Sequence, residues 1–159
     1  MSLTKTQSRF RFSRASRLLK PLEFQAVFDA RKACRGQWLT VHRYQPSQSR
    51  ARSENEQIEF IEHSHLTSRL GLIVAKRLVA ASARRNLIRR VLREHFRTSP
   101  AAFPAGDWIV RLHESPFRVK KGELAPTRLQ VVTGLRTDIR QIMNRVAGHI
   151  RKEKQDQPT

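Results

Sequence analysis

The chain has 159 residues and a mass of 18.5 kDa, the size of one ordinary domain, and its 38% of hydrophobic residues support a single modest core. Lysine and arginine number 32 against 13 acids, a formal net charge of +19; a surface that repels itself this strongly points to a polyanionic partner and away from a small neutral substrate. Arginine supplies 24 of the cations and lysine 8, and because the planar guanidinium fork matches phosphate and stacks on bases, nucleic acid is expected ahead of an anionic membrane.

Residues 1–19 read as a flexible basic arm. Lys5, Arg9, Arg11, Arg14, Arg17 and Lys20 fall within residues 1–22 with no acid among them. A start of this kind also describes mitochondrial transit peptides, but it lacks their amphipathic stripe. Pro21 suits the first turn of a helix and Glu23 its positive end. Leu22, Phe24, Val27 and Phe28 follow at helical spacing, and the pattern runs out between Ala30 and Arg35, before Gly36. Phe24 and Phe28 are four apart and share one helix face. That face is either ordinary core or a surface on which bases stack. Cys34 is the only cysteine, so an intrachain disulfide and a cysteine zinc site are excluded, which fits a cytoplasmic setting.

Residues 37–44, with Trp38, Leu39, Val41 and Tyr44, read as a strand closed by Pro46. Residues 45–68 form a polar insertion holding Glu54, Glu56, Glu59 and Glu62, expected to be a solvated loop, and its His63 and His65 are expected to be solvated too. The run 69–75 (RLGLIVA) is the best strand in the chain, and its Leu70 to Ala75 is also the longest apolar stretch, far short of the roughly 18 residues of a membrane span. Lys76 and Arg77 follow it as phosphate candidates. Residues 107–112 (DWIVRL) make the next strand, after a turn marked by Pro104 and Gly106. A last helix carries Leu129, Val132, Leu135, Ile139, Ile142, Met143, Val146 and Ile150, with Gly134 expected to disturb its first turns and residues 151–159 expected to fray. The order α-β-β-α-β-α gives one α+β domain over residues 20–150, a central mixed sheet with packed helices.

Between the two best strands lies an arginine helix, residues 82–99 (SARRNLIRRVLREHFRTS), with Ser82 as cap and Pro100 as stop. Leu87, Ile88, Val91, Leu92 and Phe96 share one half of the wheel, while Asn86, Arg89, Arg90, Arg93 and Arg97 fill an arc of roughly 100° opposite. A solvated face mixes signs into pairs one turn apart; here Arg89, Arg93 and Arg97 stack like on like, which favours phosphate binding. Asn86 can donate and accept among these cations, and so read a base or a sugar hydroxyl.

The acids outside the insertion are scattered, and no metal-ligand spacing or nucleotide-binding, hydrolase or metalloprotease motif occurs. No catalytic residue and no metal site is therefore expected in this chain. His95 and His149 fall on helices, as packing or RNA contacts.

The run Arg85-Asn86-Leu87-Ile88-Arg89-Arg90-Val91-Leu92-Arg93-Glu94, preceded by LGLIVAKRLV, resembles the signature of the bacterial ribonuclease P protein component, as do RLLKPLEFQAVFDARK (residues 17–32) and GDWIVRLHESP (residues 106–116). Leu87 stands where that family usually has arginine, the third residue of its Arg-Asn-Arg motif, and the acidic insertion is longer than the family pattern. The resemblance implies a βαβ crossover of left-handed sense carrying the arginine helix, against the general rule for crossovers. It implies a subunit of the ribonucleoprotein that removes 5′ leaders from precursor tRNA, with the catalytic site and its Mg2+ in the RNA subunit. Carried over by position, Arg85, Asn86, Arg89, Arg90 and Arg93 would face that RNA, and Phe24, Phe28 and Trp38 would line a cleft for the leader. The partners implied are the catalytic RNA and precursor tRNA, with no membrane and no obligate protein partner. The alternative from another class is a structural, ribosomal-type RNA-binding protein without an enzymatic role.

Overall fold

The computed structural model describes residues 12–45 and 67–156, so most of the basic arm and nearly all of the acidic insertion, with its four glutamates, His63 and His65, lie outside the described residues. The elements are α1 (Pro21–Asp29), β1 (Lys32–Arg35), β2 (Leu39–Tyr44), β3 (Ser68–Ile73), α2 (Ser82–Thr98), β4 (Gly106–Leu112) and α3 (Arg128–Gln155). The strands form one sheet in the order β1-β2-β4-β3, antiparallel except for β3 beside β4. Parallel neighbours need a crossover, and α2 supplies it.

Alternation along the strands divides the sheet into two faces. Leu39 and Val41 of β2 and Trp108, Val110 and Leu112 of β4 point to one side, where they meet Ile88, Val91, Leu92 and Phe96 of α2 and Leu135, Ile139, Ile142 and Met143 of α3. This is the main core. Ile109 points to the other side, where Leu18 and Val27 close a smaller cluster with Phe24, Phe28, Tyr44 and Ile73 around it. Among the described residues, α1 and Leu18 just before it cover that second face.

Several expectations are corrected. The helix ends at Asp29, beside the near end of the expected range, but an unexpected strand follows: Arg31 takes a left-handed conformation (φ 52°) just after α1, and the next four residues become β1, so the order is α-β-β-β-α-β-α. Part of the supposed arm is docked, because Leu18 is buried, its N–H donates to the Leu70 carbonyl at 3.1 Å, and Arg17 bridges to Leu70 along the edge of β3. The residue capping α2 is Ala81, with no side-chain bond, and Ser82 is already helical. Gly134 does not disturb α3, which starts at a reciprocal cap: the Gln130 N–H donates to the Thr127 hydroxyl at 3.2 Å and the Thr127 N–H to the Gln130 amide oxygen at 2.8 Å. A Cβ at position 134 would lie 2.5 Å from the Trp38 ring, so the glycine makes room for that indole. Nor do residues 151–155 fray, since α3 continues to Gln155, and Glu153 holds Arg43 at 2.6 Å and Lys32 at 3.0 Å.

Candidate nucleic-acid interface

Helix α2 buries Ile88, Val91, Leu92 and Phe96 and turns Asn86, Arg90 and Arg93 to solvent, with Arg85 and Arg89 half-buried between. Leu87, where the motif departs from its family, leans half-buried on the main core. Arg85 donates to the carbonyls of Val79, at 3.0 Å, and Ala80, so its guanidinium shapes the turn leading into the helix. Arg89 donates weakly to the Asn86 amide oxygen at 3.4 Å. Arg97, by contrast, is paired with Glu94, and that bond, with Arg136 and Arg90 close by, holds the Glu94 carboxyl below its ordinary range.

Burial, and then the neighbouring Arg17 and Arg89, push Arg93 below the usual arginine range. An arginine stays charged there at neutral pH, and the smaller part of the shift, which comes from Arg17 and Arg89, marks a local positive potential that an anion would relieve. Arg17 joins the field because its segment is tied to the edge of β3, and its guanidinium lies over the Phe12 ring, 5.0 Å from the centroid. Lys76 and Arg77 are exposed in the turn after β3.

On the other face, a buried ionic triad sets the position of α1. Arg69 donates to Asp107 through two bonds of 2.8 and 2.7 Å and to Glu23 at 2.8 Å. The second Glu23 oxygen accepts the N–H groups of Leu19 at 2.6 Å and Lys20 at 2.8 Å, closing the start of the helix. Burial raises Glu23, but the two backbone donors and Arg69 outweigh it and hold the carboxyl below its ordinary range. Phe24 lies on Gly71 of β3, where a Cβ would come within 2.7 Å of the ring. Phe28 meets His42 of β2 edge-on, with centroids 4.9 Å apart. Burial and then Arg111 push His42 down, and its Nε2 is buried without a partner among the described residues. The structure therefore brings Phe24 and Phe28 together, both half-buried, along the seam between α1 and the sheet. Trp38 is not there; it packs against Gly134 of α3 and the main core.

A family model described as Ribonuclease P matches residues 12–137. The chain belongs to this family. The ribonuclease P protein component of Azoarcus sp. (strain BH72) is 36% identical over 121 residues, 76% of this chain and 87% of that protein. That of Bordetella parapertussis is 38% identical over 98 residues, 62% of this chain and 70% of its own. The solved structure of the Staphylococcus aureus RNase P protein shares the fold with a TM-score of 0.57 at 18% identity, over 82% of this chain and 94% of that one. Family membership favours the ribonuclease P reading over the ribosomal-type alternative.

Three groups near the interface escaped the sequence reading. Arg17 gives no local signal, because only pairing with β3 brings it to α2. The Arg69–Asp107 pair depends on the parallel register that sets the two residues opposite each other. Asp138, 3% exposed, accepts the N–H groups of Gln37, Trp38 and Leu39 at 2.8, 2.8 and 3.0 Å, and so pins the β1–β2 turn to α3. Its signal was an acid set into the apolar stripe one residue before Ile139. Among the described residues no helix is long and apolar enough to cross a membrane, and no three His, Cys, Asp or Glu side chains cluster as a metal site.

Proposed function

We propose that this chain is the protein subunit of a ribonuclease P that removes the 5′ leader from precursor tRNA in the cytoplasm, binding the catalytic RNA through α2 and the leader along the α1 seam. The observation that carries the reading is the exposed cation face of α2, where Asn86, Arg90 and Arg93 project together and Arg17 and Arg89 raise the potential at Arg93. Catalysis is assigned to the RNA, which would hold the Mg2+ ions, as the family resemblance implies. The protein's part is electrostatic and positional. Its +19 charge offsets repulsion between two polyanions, lowering the salt and magnesium needed for assembly, while the rings of Phe24 and Phe28 offer leader bases an apolar edge.

Reconstitution tests this. Mixed with a catalytic RNA subunit and Mg2+, the protein should restore cleavage at the mature 5′ end under magnesium too dilute for the RNA alone. The purified, RNA-free protein should cleave nothing. Cleavage by the RNA-free protein, or no effect of the protein on the RNA, would overturn the assignment.

A further inference from the structure

At the amino-terminal end of α2 an open groove of about 710 Å³ gathers Arg35 from the end of β1, Arg77 from the turn after β3, Arg84 from the first turn of α2 and Arg118 from the loop before α3. None of Arg35, Arg84 and Arg118 belongs to the arginine face described above. Their meeting is costly unless an anion is present. The first turn of α2 has no acid and no side-chain cap, so its leading N–H groups lack an intrahelical partner and its dipole disfavours Arg84. The one acid of the groove, half-exposed Glu114, reaches Arg118 at 3.8 Å. Arg35 and Arg77 have no ion pair among the described residues.

The groove is also built. Arg84 lies over the ring of Phe117, 4.8 Å from its centroid, which holds the guanidinium in place. His113 lines the groove and its Nδ1 is 3.0 Å from the Thr40 hydroxyl; burial and then Arg35 push its pKa down, so the ring is neutral at pH 7 and leaves the arginines as the charged lining. A second hollow of about 470 Å³ shares Arg84 and Phe117 with the groove and is lined also by Asn86 and Arg90. The groove therefore runs on into the arginine face of α2.

We propose that this groove is a second phosphate site, which takes a phosphodiester group of an RNA strand between Arg35, Arg77, Arg84 and Arg118. It rests on the ribonuclease P reading. The same chemistry has two sources, the catalytic RNA and the leader of precursor tRNA, and each gives a different result.

The test uses the full chain with Arg35→Ala and Arg118→Ala together, both exposed positions, beside Arg35→Lys with Arg118→Lys. Circular dichroism melts confirm that both variants fold. Affinity is measured across a salt titration in two arms: protein with the RNA subunit, and preformed holoenzyme with leader-bearing precursor tRNA. Each lost phosphate contact should flatten the log–log slope by roughly 0.7, or about 1.4 for the pair, which makes affinity about sevenfold less sensitive to a fourfold rise in salt. The lysine variant should keep the wild-type slope. Flattening in the first arm assigns the phosphate to the catalytic RNA, and in the second to the leader. Slopes equal to wild type in both arms, with wild-type holoenzyme still cleaving, would overturn the site and leave the function standing. A wild-type protein that fails to form an active holoenzyme would overturn the function reading itself.

Discussion

Replacing Arg69 by Met should be among the most destabilising single changes in this chain, and its cost should shrink in acid. Arg69, Glu23 and Asp107 are 8%, 6% and 1% exposed, so the substitution leaves two carboxylates facing each other out of water. Removing one partner of a buried ionic group costs about 3–5 kcal/mol, which for a chain of this size lowers Tm by about 6–20 °C. The pH signature identifies the cause. In the wild type Glu23 is held below its ordinary range, so its contribution is complete above the unfolded value and is lost only as pH falls through the lower folded value. Burial pushes Asp107 the other way despite Arg69, so its contribution declines as pH rises through the folded value. The two partly cancel. Without Arg69, burial and the facing Glu23 act on Asp107 unopposed and raise it further, while Glu23 keeps only its two backbone donors against burial. Both folded values move up relative to the wild type, and the variant regains part of its lost stability on acidification. Urea unfolding followed by circular dichroism at pH 7 and pH 5 should therefore give a smaller difference from wild type at pH 5. A loss under about 1 kcal/mol at pH 7, or one equal or larger at pH 5, would refute the buried-triad account. Because Glu23 also closes the start of α1, the variant should loosen the seam holding Phe24 and Phe28.

Parts of this architecture could be read from the residues alone because their signals are local. The stripes of α2 and α3 repeat at helical spacing and both are buried as expected, through Ile88, Val91, Leu92 and Phe96 in one and Leu135, Ile139, Ile142 and Met143 in the other. The strands at β3 and β4 are apolar enough to stand out within a basic chain. β1 is not, since only Cys34 of its four residues is buried and its existence depends on pairing with β2. Trp38 enters the cleft only through the family resemblance, as an aromatic where the family's strand tends to be aromatic. The space that takes it is the missing side chain of Gly134, almost a hundred residues away in the chain, and no local pattern encodes that contact. The same distinction separates the site residues. The cation face of α2 follows from periodicity, whereas Arg85, identical in type to its neighbours, turns back to the carbonyls of Val79 and Ala80 because the turn before the helix places them within reach.

Two further outcomes are expected. Changing Arg89 and Arg93 to Ala should leave the melt nearly unchanged, since neither belongs to the buried stripe, while flattening the salt dependence of RNA-subunit binding by roughly 0.7 per lost contact; equal slopes would remove these residues from the interface. The last concerns the seam. A Cβ at position 71 would stand 2.7 and 2.8 Å from two Phe24 ring atoms and 3.2 Å from Leu18 Cδ1, so Gly71→Ala forces the ring to move, at about 1–3 kcal/mol. With Phe24→Ala already present only the Leu18 contact remains, and a shift of a few tenths of an ångström relieves it. The two substitutions should therefore be non-additive in urea unfolding, with the alanine at 71 costing at least about 1 kcal/mol less in the Phe24→Ala background. In the holoenzyme, Phe24→Ala should weaken leader-bearing precursor tRNA by about 1–3 kcal/mol if a base stacks on the ring, and leave mature tRNA unaffected. Additive stabilities would show that Phe24 does not rest on Gly71. Equal losses for both tRNAs would make the ring ordinary core, because a packing defect reaches every ligand whereas a lost stacking surface reaches only the strand that lies on it.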